Sequence, residues 1–317
     1  MSGTAAARWL GRWDPNSPEW DAARAGYRIG GSEVAAIVGL SPYDSRYSLW
    51  MRKAGLIGKK TINSEMQWGT LLEDPIRAEW LRRHPEAHLV PGTHRGAGTW
   101  LHRADERFLA NPDALVIRNR RREVLEVKTS DSSQAWQWGP TGTDQIPPYY
   151  LTQTRWYLHC LGLDTCHVVV LIGGNDYREY TVRQDPGDVD WMVTEAIAFL
   201  DSLEAGTPPD IDSSSHTYEA IREAVPDVDR DAQAILPTEL ADSYHRAVAA
   251  LAQAKTDEQL HRSLVMDAMG TAHKATTDDG RHVATRSRRK LPSGEYSKTS
   301  LTPARNYTPT TSTQETP

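Results

Sequence analysis

The stretch from Asn111 to Lys128, NPDALVIRNRRREVLEVK, decides the architecture of this chain. Two apolar runs, Ala114 to Ile117 and Val124 to Val127, flank a polar, arginine-rich turn from Arg118 to Arg122. That pattern predicts a β-hairpin. Side chains alternate across a strand, so Glu126 and Lys128 share one face while Leu125 and Val127 point to the core. With the turn near Arg120, Asp113 at the head of the first strand lies opposite the Glu126–Lys128 end of the second. Two carboxylates and one ammonium then converge within a few ångströms.

Two carboxylates and the backbone carbonyl of Val127 are hard oxygen donors. They suit Mg²⁺, with Mn²⁺ substituting, an ion that keeps waters and takes its remaining ligands from substrate phosphate. Such an ion lowers the pKa of a bound water and stabilises charge on a phosphoryl oxygen. Lys128 would orient or help deprotonate that water, or neutralise the transition state. A Glu-x-Lys strand beside an Asp turn also occurs as a solvated, salt-bridged sheet face, and the hairpin alone leaves both readings open.

Upstream, Tyr27 to Tyr43 reads YRIGGSEVAAIVGLSPY. Ser32 is a good N-cap for a short helix with Ala35, Ala36 and Val38 on its buried face, closed by Gly39. A second short helix runs from Ser48 to Gly55. Met66 to His84 carries Leu72, Ile76 and Trp80 at four-residue spacing, a longer amphipathic helix with Leu71 beside the stripe. Glu73 lies at the edge of its buried face, within reach of Arg77 at i+4.

Downstream, residues 131–146 lack periodicity and read as a loop. Pro147-Pro148 opens a helix from Tyr149 to Leu161, closed by Gly162. A second hairpin, His167 to Ile172 and Glu179 to Val182, turns at Gly173-Gly174-Asn175-Asp176. A helix from Asp188 to Glu204 follows. Pro208, Pro209 and Ser213 to Ser215 mark a linker, which places a domain at 1–207. The remainder is a mostly helical extension at 208–302, with a heptad-like helix over Thr238–Met269 and a basic strand pair around Arg281 to Arg289. A Thr- and Pro-rich tail at 303–317 is expected to be disordered.

Composition narrows the function classes. Of 317 residues, 38% are hydrophobic and 25% charged, with a mean hydropathy of −0.60. No run approaches the roughly 18–20 apolar residues of a membrane span. The first twenty residues lack a signal-peptide core, so the chain is expected in the cytoplasm. Cys160 and Cys166 are too few for a disulfide framework, a four-thiolate zinc site or an iron–sulfur cluster. The net charge is −6. Residues 210–280 hold 14 acidic against 6 basic side chains, and residues 281–317 hold 7 basic against 2 acidic. The basic end leaves room for local nucleic-acid binding, with Arg286, Arg288, Arg289 and Lys290 against phosphates. A solvated basic hairpin, or a partner contact through the 238–269 helix, fits the same residues.

Asn111-Pro112-Asp113 followed by Glu126-Val127-Lys128 resembles the PD-(D/E)xK nuclease signature. Around it, in order, stand Gly31-Ser32-Glu33-Val34-Ala35-Ala36-Ile37, Gly69-Thr70-Leu71-Leu72-Glu73, and Tyr150-Leu151-Thr152-Gln153-Thr154-Arg155-Trp156-Tyr157. The set is similar to the YqaJ-type viral recombinase family, phage exonucleases related to lambda exonuclease, over about residues 25–205. The resemblance implies an α/β (α+β) chain with a restriction-endonuclease-like core, a mixed central β-sheet flanked by helices. It implies Mg²⁺-dependent digestion of linear double-stranded DNA from 5′ ends, leaving 3′ single strands for phage recombination by strand annealing. It further implies a phage single-strand annealing protein as partner, a trimeric homo-oligomer around DNA, and a place in the cytoplasm of a bacterial host.

Residue by residue, the resemblance makes Asp113, Glu126 and the Val127 carbonyl the metal ligands and Lys128 the catalytic lysine. Glu73 becomes an acidic helper, Gln153 the glutamine of the active-site helix, and Tyr150 its neighbour. Arg28 and Ser32 become the clamp for a terminal 5′-phosphate. A helix N-terminus with a hydroxyl and a guanidinium beside it suits that anion, and an ordinary N-cap suits Ser32 equally. A PD-(D/E)xK endonuclease, a host DNA-repair nuclease and a catalytically silent DNA-end-binding scaffold are the competing readings. Relatives with an iron–sulfur cluster are excluded by the two cysteines, and the presence of Asp113, Glu126 and Lys128 together speaks against the scaffold. Trp136 and Trp138 suit base stacking or core packing. His94, His102 and His159 show no metal-ligand spacing.

Overall fold

The structure is a computed structural model and describes residues 6–309 apart from 15, 16, 26, 62, 94 and 95. Along the chain, β1 (Ala7–Gly11) and α1 (Pro18–Arg24) lead to β2 (Ile29–Gly30), α2 (Gly31–Ile37), α3 (Arg46–Lys53) and α4 (Ser64–Arg83). Then come β3 (Ala87–Leu89), β4 (Thr99–His102), β5 (Phe108–Ala110), β6 (Ala114–Arg118) and β7 (Arg121–Ser130). A short helical turn at Ser132–Gln137 precedes α5 (Pro148–Leu161), β8 (Thr165–Ile172), β9 (Asp176–Arg183), α6 (Pro186–Glu204) and α7 (Ser215–Ala224). These elements form one compact unit, Met1–Val228. A second unit, Asp229–Pro317, holds α8 (Thr238–Met269), β10 (Lys274–Thr276), β11 (His282–Ser287) and β12 (Ser300–Pro303).

The central sheet has the order β3-β6-β7-β8-β9. Only β7 and β8 run parallel; the other neighbours are antiparallel. This is the mixed sheet flanked by helices that the resemblance implied. The β6–β7 turn is tighter than the sequence suggests. Arg118 pairs with Arg121, leaving only Asn119 and Arg120, at φ 50° and 64°. A two-residue turn with both central residues left-handed matches the twist of the strands it joins. It also sets the register: Ala114 faces Leu125, so Asp113 falls across from Glu126.

A parallel pair needs a crossover, and α5 supplies it between β7 and β8. Pro148 opens α5 at its first turn, where a missing N–H is harmless, and Gly162 at φ 64° closes it. On the α5 side, Val124, Val168 and Val170 join Trp156, Leu158, Phe199 and Leu200 in the main core. On the other side, Leu125, Val127 and Val169 pack with Ile76 and Trp80 of α4. Each fully buried side chain of this size contributes about 1.5–3 kcal/mol. Both sheet faces are therefore covered, and β8 reads as a near-continuous apolar run for that reason. Glu126 sits in the covered layer under α5 at 1% exposure. The solvated salt-bridge reading of the hairpin is thereby removed.

In α4, Ile76 and Trp80 are buried as the spacing predicts, whereas Leu71 is 65% exposed. A smaller sheet with the order β1-β4-β5-β2 was not legible in the sequence. Its two-residue β2 pairs Ile29 with Phe108 and Gly30 with Leu109. That pairing brings the start of α2 beside the Asn111-Pro112-Asp113 segment.

The boundary near residue 207 falls later in the structure, because α7 belongs to the first unit. Thr217 is buried, and its hydroxyl shares a 2.7 Å hydrogen bond with Ser45 at the start of α3. Gly58 N donates to Glu223 at 2.7 Å. The second unit is a long helix and a three-stranded sheet, β10-β11-β12, rather than a strand pair. The tail expected to be disordered from 303 is structured at its beginning. Pro303 ends β12, Tyr307 lies under the Arg281 guanidinium, and the Thr308 carbonyl accepts from Arg281. Residues 310–317 lie outside the described residues. Among the described residues, no helix is long and apolar enough to cross a membrane.

Candidate active site

Asp113, Glu126 and Lys128 come together where β6 begins and β7 continues past it. The Asp113 backbone N–H faces Glu126 Oε2 at 3.4 Å, and Val127 N–H donates to Asp113 Oδ2 at 2.7 Å. Lys128 Nζ donates to Glu126 Oε1 at 2.6 Å. The Lys128 ammonium also lies 4.9 Å from the Tyr150 ring centroid on α5, which keeps it over an aromatic face.

Charge and burial oppose each other here. Burial, then the Asp113 carboxylate, pushes Glu126 up to about 8 from an ordinary 4.5. Burial also raises Asp113, against the pull of Lys128 and the Val127 amide. Two buried carboxylates this close cannot both ionise cheaply, which is why the Asp113 charge raises Glu126 further. Burial by itself would depress Lys128, but Glu126 and Asp113 outweigh it and hold its proton above the ordinary lysine value. Lys128 is an ammonium in this arrangement. Glu73 on α4 belongs to the same field: burial, then Asp113, raises it to about 7. Its carboxylate also meets Arg77 at 3.5 Å, the i+4 contact read from the sequence.

Gln153 and Tyr157 close the site from α5. Gln153 Nε2 donates to Glu126 Oε1 at 2.9 Å and lies 2.9 Å from the Tyr157 hydroxyl. Both side chains are buried. Tyr157, one helical turn after Gln153, has no role in the sequence-based expectation. The signal available was this i+4 spacing, which stacks the two side chains on one face.

The residues expected to hold a terminal 5′-phosphate, Arg28 and Ser32, do not meet each other in the structure. Gly30, not Ser32, is the N-cap of α2, and the Glu33 carboxylate accepts from Gly30 N at 2.7 Å. Ser32 is exposed on the first turn. Arg28 does not meet it: its guanidinium donates to the Ala23 carbonyl at 2.9 Å. Arg24 takes that position. It donates to Ser32 Oγ at 3.2 Å and to Asn111 Oδ1 at 3.1 Å, and lies 4.5 Å over the Trp20 ring. Glu33 anchors this group, with Lys53 at 2.8 Å and Arg24 at 3.7 Å. Burial alone would raise Glu33, but the two cations hold it below the usual carboxylate range. Arg24 precedes Ser32 by eight residues across a chain reversal, so spacing alone favoured the nearer Arg28.

Asp113, Glu126 and the Val127 carbonyl fit a hard divalent cation. Among the described residues, no three His, Cys, Asp or Glu side chains gather as a closed cage. The set here is two carboxylates plus a strand carbonyl. Since the Val127 N–H reaches Asp113 and both amide groups of a strand residue face one side, its carbonyl is directed there too. An all-oxygen set short of a full shell suits Mg²⁺ or Mn²⁺, which retains waters.

Trp138 is buried at 4%, packing on Tyr150 and Tyr180, whereas Trp136 is 76% exposed. The His102 and His159 rings lie with centroids 4.7 Å apart, tilted by 31°; His94 lies outside the described residues. Cys160 and Cys166 are buried free thiols on α5 and β8.

Residues 19–164 match the family model of the YqaJ-like viral recombinase domain. The protein YqaJ of Bacillus subtilis, itself uncharacterised, is 27% identical, over 61% of this chain and 59% of its own length. The chain thus spans about three fifths of that relative. An alkaline exonuclease from Laribacter hongkongensis superimposes with a TM-score of 0.47 at 23% identity, covering 66% of this chain and 99% of that one. A phage-related exonuclease from Haemophilus somnus gives a TM-score of 0.40 at 14% identity, covering 56% and 96%.

Proposed function

We propose, from the match of residues 19–164 to the YqaJ-like viral recombinase domain model, that the protein is a metal-dependent exonuclease that digests linear duplex DNA from 5′ ends and leaves 3′ single strands for recombination by strand annealing. The observation that carries this reading is the convergence of Asp113, Glu126 and Lys128 at one buried strand end. The names of the alkaline and phage-related exonucleases are in keeping with it. A phage annealing protein as partner, a trimeric ring and a bacterial cytoplasmic setting follow from the resemblance and belong to the same proposal.

A Mg²⁺ or Mn²⁺ ion held by Asp113, Glu126 and the Val127 carbonyl would supply Lewis-acid polarisation of the scissile phosphate and a more acidic water. Lys128, held as an ammonium by two carboxylates, neutralises charge that builds on the phosphoryl oxygens. Gln153 holds Glu126 Oε1, and the Tyr157 hydroxyl meets the same amide, which fixes the orientation of that carboxylate. Glu73, raised to about 7, can take or release a proton beside Asp113 near neutral pH. Arg24 and Ser32 receive the terminal 5′-phosphate, with Arg24 supplying the paired N–H donors.

The test incubates the protein with Mg²⁺ and three DNAs: linear duplex with 5′-phosphate, linear duplex with 5′-hydroxyl, and closed circular duplex. A Lys128→Ala variant runs beside it. Digestion of linear DNA only, fastest with the phosphate and absent in the variant, is the expected result. Cutting of the circle would replace the reading with an endonuclease, and no cutting would replace it with a silent end-binding scaffold.

A further inference from the structure

The second unit carries its own charged feature. The β11–β12 ladder pairs Ala284 with Pro303 through Ser287 with Ser300. Pairing then continues beyond both strands. Ser297 N donates to the Arg289 carbonyl at 2.8 Å, Lys290 bridges to Tyr296, and Leu291 N donates to the Glu295 carbonyl at 2.7 Å. Gly294, at φ 87°, turns the tip. β10 ends its pairing at Thr285, so the outer part is a two-stranded ribbon. At about 3.3 Å per residue, the ten residues from His282 to Leu291 span roughly 30 Å.

Residues 286–298 hold five basic side chains, Arg286, Arg288, Arg289, Lys290 and Lys298, against the single acid Glu295. Among the described residues, none of the five has a carboxylate within salt-bridge distance, whereas Arg281 at the base pairs with Asp279 at 2.7 Å. Arg288, Arg289, Lys290 and Lys298 are all exposed. Arg288 lies 4.2 Å over the ring of Tyr296, which limits its rotamers. The α8 helix of the same unit carries five acidic and three basic residues, so the positive charge is local to the ribbon.

A solvated edge would need only scattered charge of either sign. Concentrated, unpaired charge of one sign on a narrow ribbon repels itself and finds compensation in a polyanion. The only large apolar side chains exposed on the ribbon are Leu291 and Tyr296, too few for a protein hot spot or a membrane wedge. A two-stranded ribbon is narrow enough to enter a duplex groove.

From these observations we infer that the β11–β12 hairpin is a DNA-binding arm. Arg286, Arg288, Arg289, Lys290 and Lys298 grip the phosphate backbone of duplex DNA without reading its sequence. The choice of DNA as the polyanion rests on the nuclease reading of the first unit; the existence of the arm does not.

The test measures binding of the full-length chain to a labelled blunt duplex by fluorescence anisotropy, with EDTA present so that no cleavage occurs. The salt concentration is varied. A variant with Arg288→Gln, Arg289→Gln and Lys290→Gln should bind at least about ten-fold more weakly at moderate salt. Its slope of log Kd against log salt should fall by roughly 2 to 3, about 0.9 for each lost phosphate contact. Arg288→Lys with Arg289→Lys should retain most of the affinity, since charge rather than a fork geometry carries the contact. Unchanged affinity and slope in the glutamine variant would overturn the arm. If Lys128→Ala binds normally and the wild type cuts no DNA in Mg²⁺, the nuclease reading fails while the arm stands.

Discussion

A Cβ built on Gly31 would stand 2.5 Å from Cε1 of Tyr157, so the first turn of α2 rests directly on the active-site helix. Gly31 therefore couples the Arg24–Ser32 group to the Gln153–Tyr157 pair through contact between backbone and ring. Gly31→Ala should push Tyr157 or α2 aside, at a cost of about 1–3 kcal/mol for overpacking. Thermal melts should show the loss, and DNA digestion should fall in the protein that remains folded.

Gln153 holds the carboxylate that the proposed metal needs. Gln153→Leu keeps the volume and removes the donor to Glu126 Oε1. Second-layer contacts of this kind change metal affinity by roughly 10- to 100-fold. Mn²⁺ titration should show weakening in that range for Gln153→Leu and a smaller change for Tyr157→Phe. Equal affinity in the leucine variant would show that Glu126 is oriented by other contacts.

Stability of the metal-free protein should fall as pH rises from about 5 to 8.5. Glu126 and Glu73 are raised to about 8 and about 7 from an ordinary 4.5. A carboxyl whose folded pKa is raised favours the fold below its unfolded pKa, and that contribution is lost as pH climbs through the folded value. Added Mg²⁺ or Mn²⁺ takes the place of the proton, so the rise in Tm on adding it should grow with pH. Buried histidines such as His167, lowered mainly by burial, act in the opposite sense. Comparison with Glu126→Gln, which should lose much of the falling slope, isolates the carboxylate part.

The arginines flanking α2 have opposite expectations. Arg24→Ala should abolish the preference for 5′-phosphorylated over 5′-hydroxyl ends, because Arg24 is the guanidinium at Ser32. Arg28→Ala should leave that preference in place, since its contact is with the Ala23 carbonyl. Competition digests with the two end types separate the variants directly. The reverse pattern would restore Arg28 to the clamp.

The hairpin, the two flanking helices and the reactive trio were legible because each is a local pattern. Alternation on β7 put Glu126 and Lys128 on one side, a turn of known direction put Asp113 opposite, and i+4 spacing put Ile76 and Trp80 on one stripe. These follow from strand and helix periods and need no knowledge of distant residues. The small N-terminal sheet escaped because β2 is two residues long and pairs with β5 far along the chain. Helix α7 was assigned to the extension because a proline- and serine-rich stretch precedes it, yet its Thr217 packs at Ser45 in the first unit.

By itself the sequence determined which side chains could act and in what order they meet along each element. Only the tertiary structure decided what surrounds them. Covering both faces of the sheet turned Glu126 from a solvated carboxylate into a buried one, and burial beside Asp113 moved its proton affinity. The fold likewise chose Arg24 over Arg28 at Ser32, because which guanidinium reaches a hydroxyl depends on how α1 and α2 cross. Periodicity is a property of the backbone, which every segment carries with it. Electrostatic environment and long-range contact depend on what the rest of the chain brings to that place.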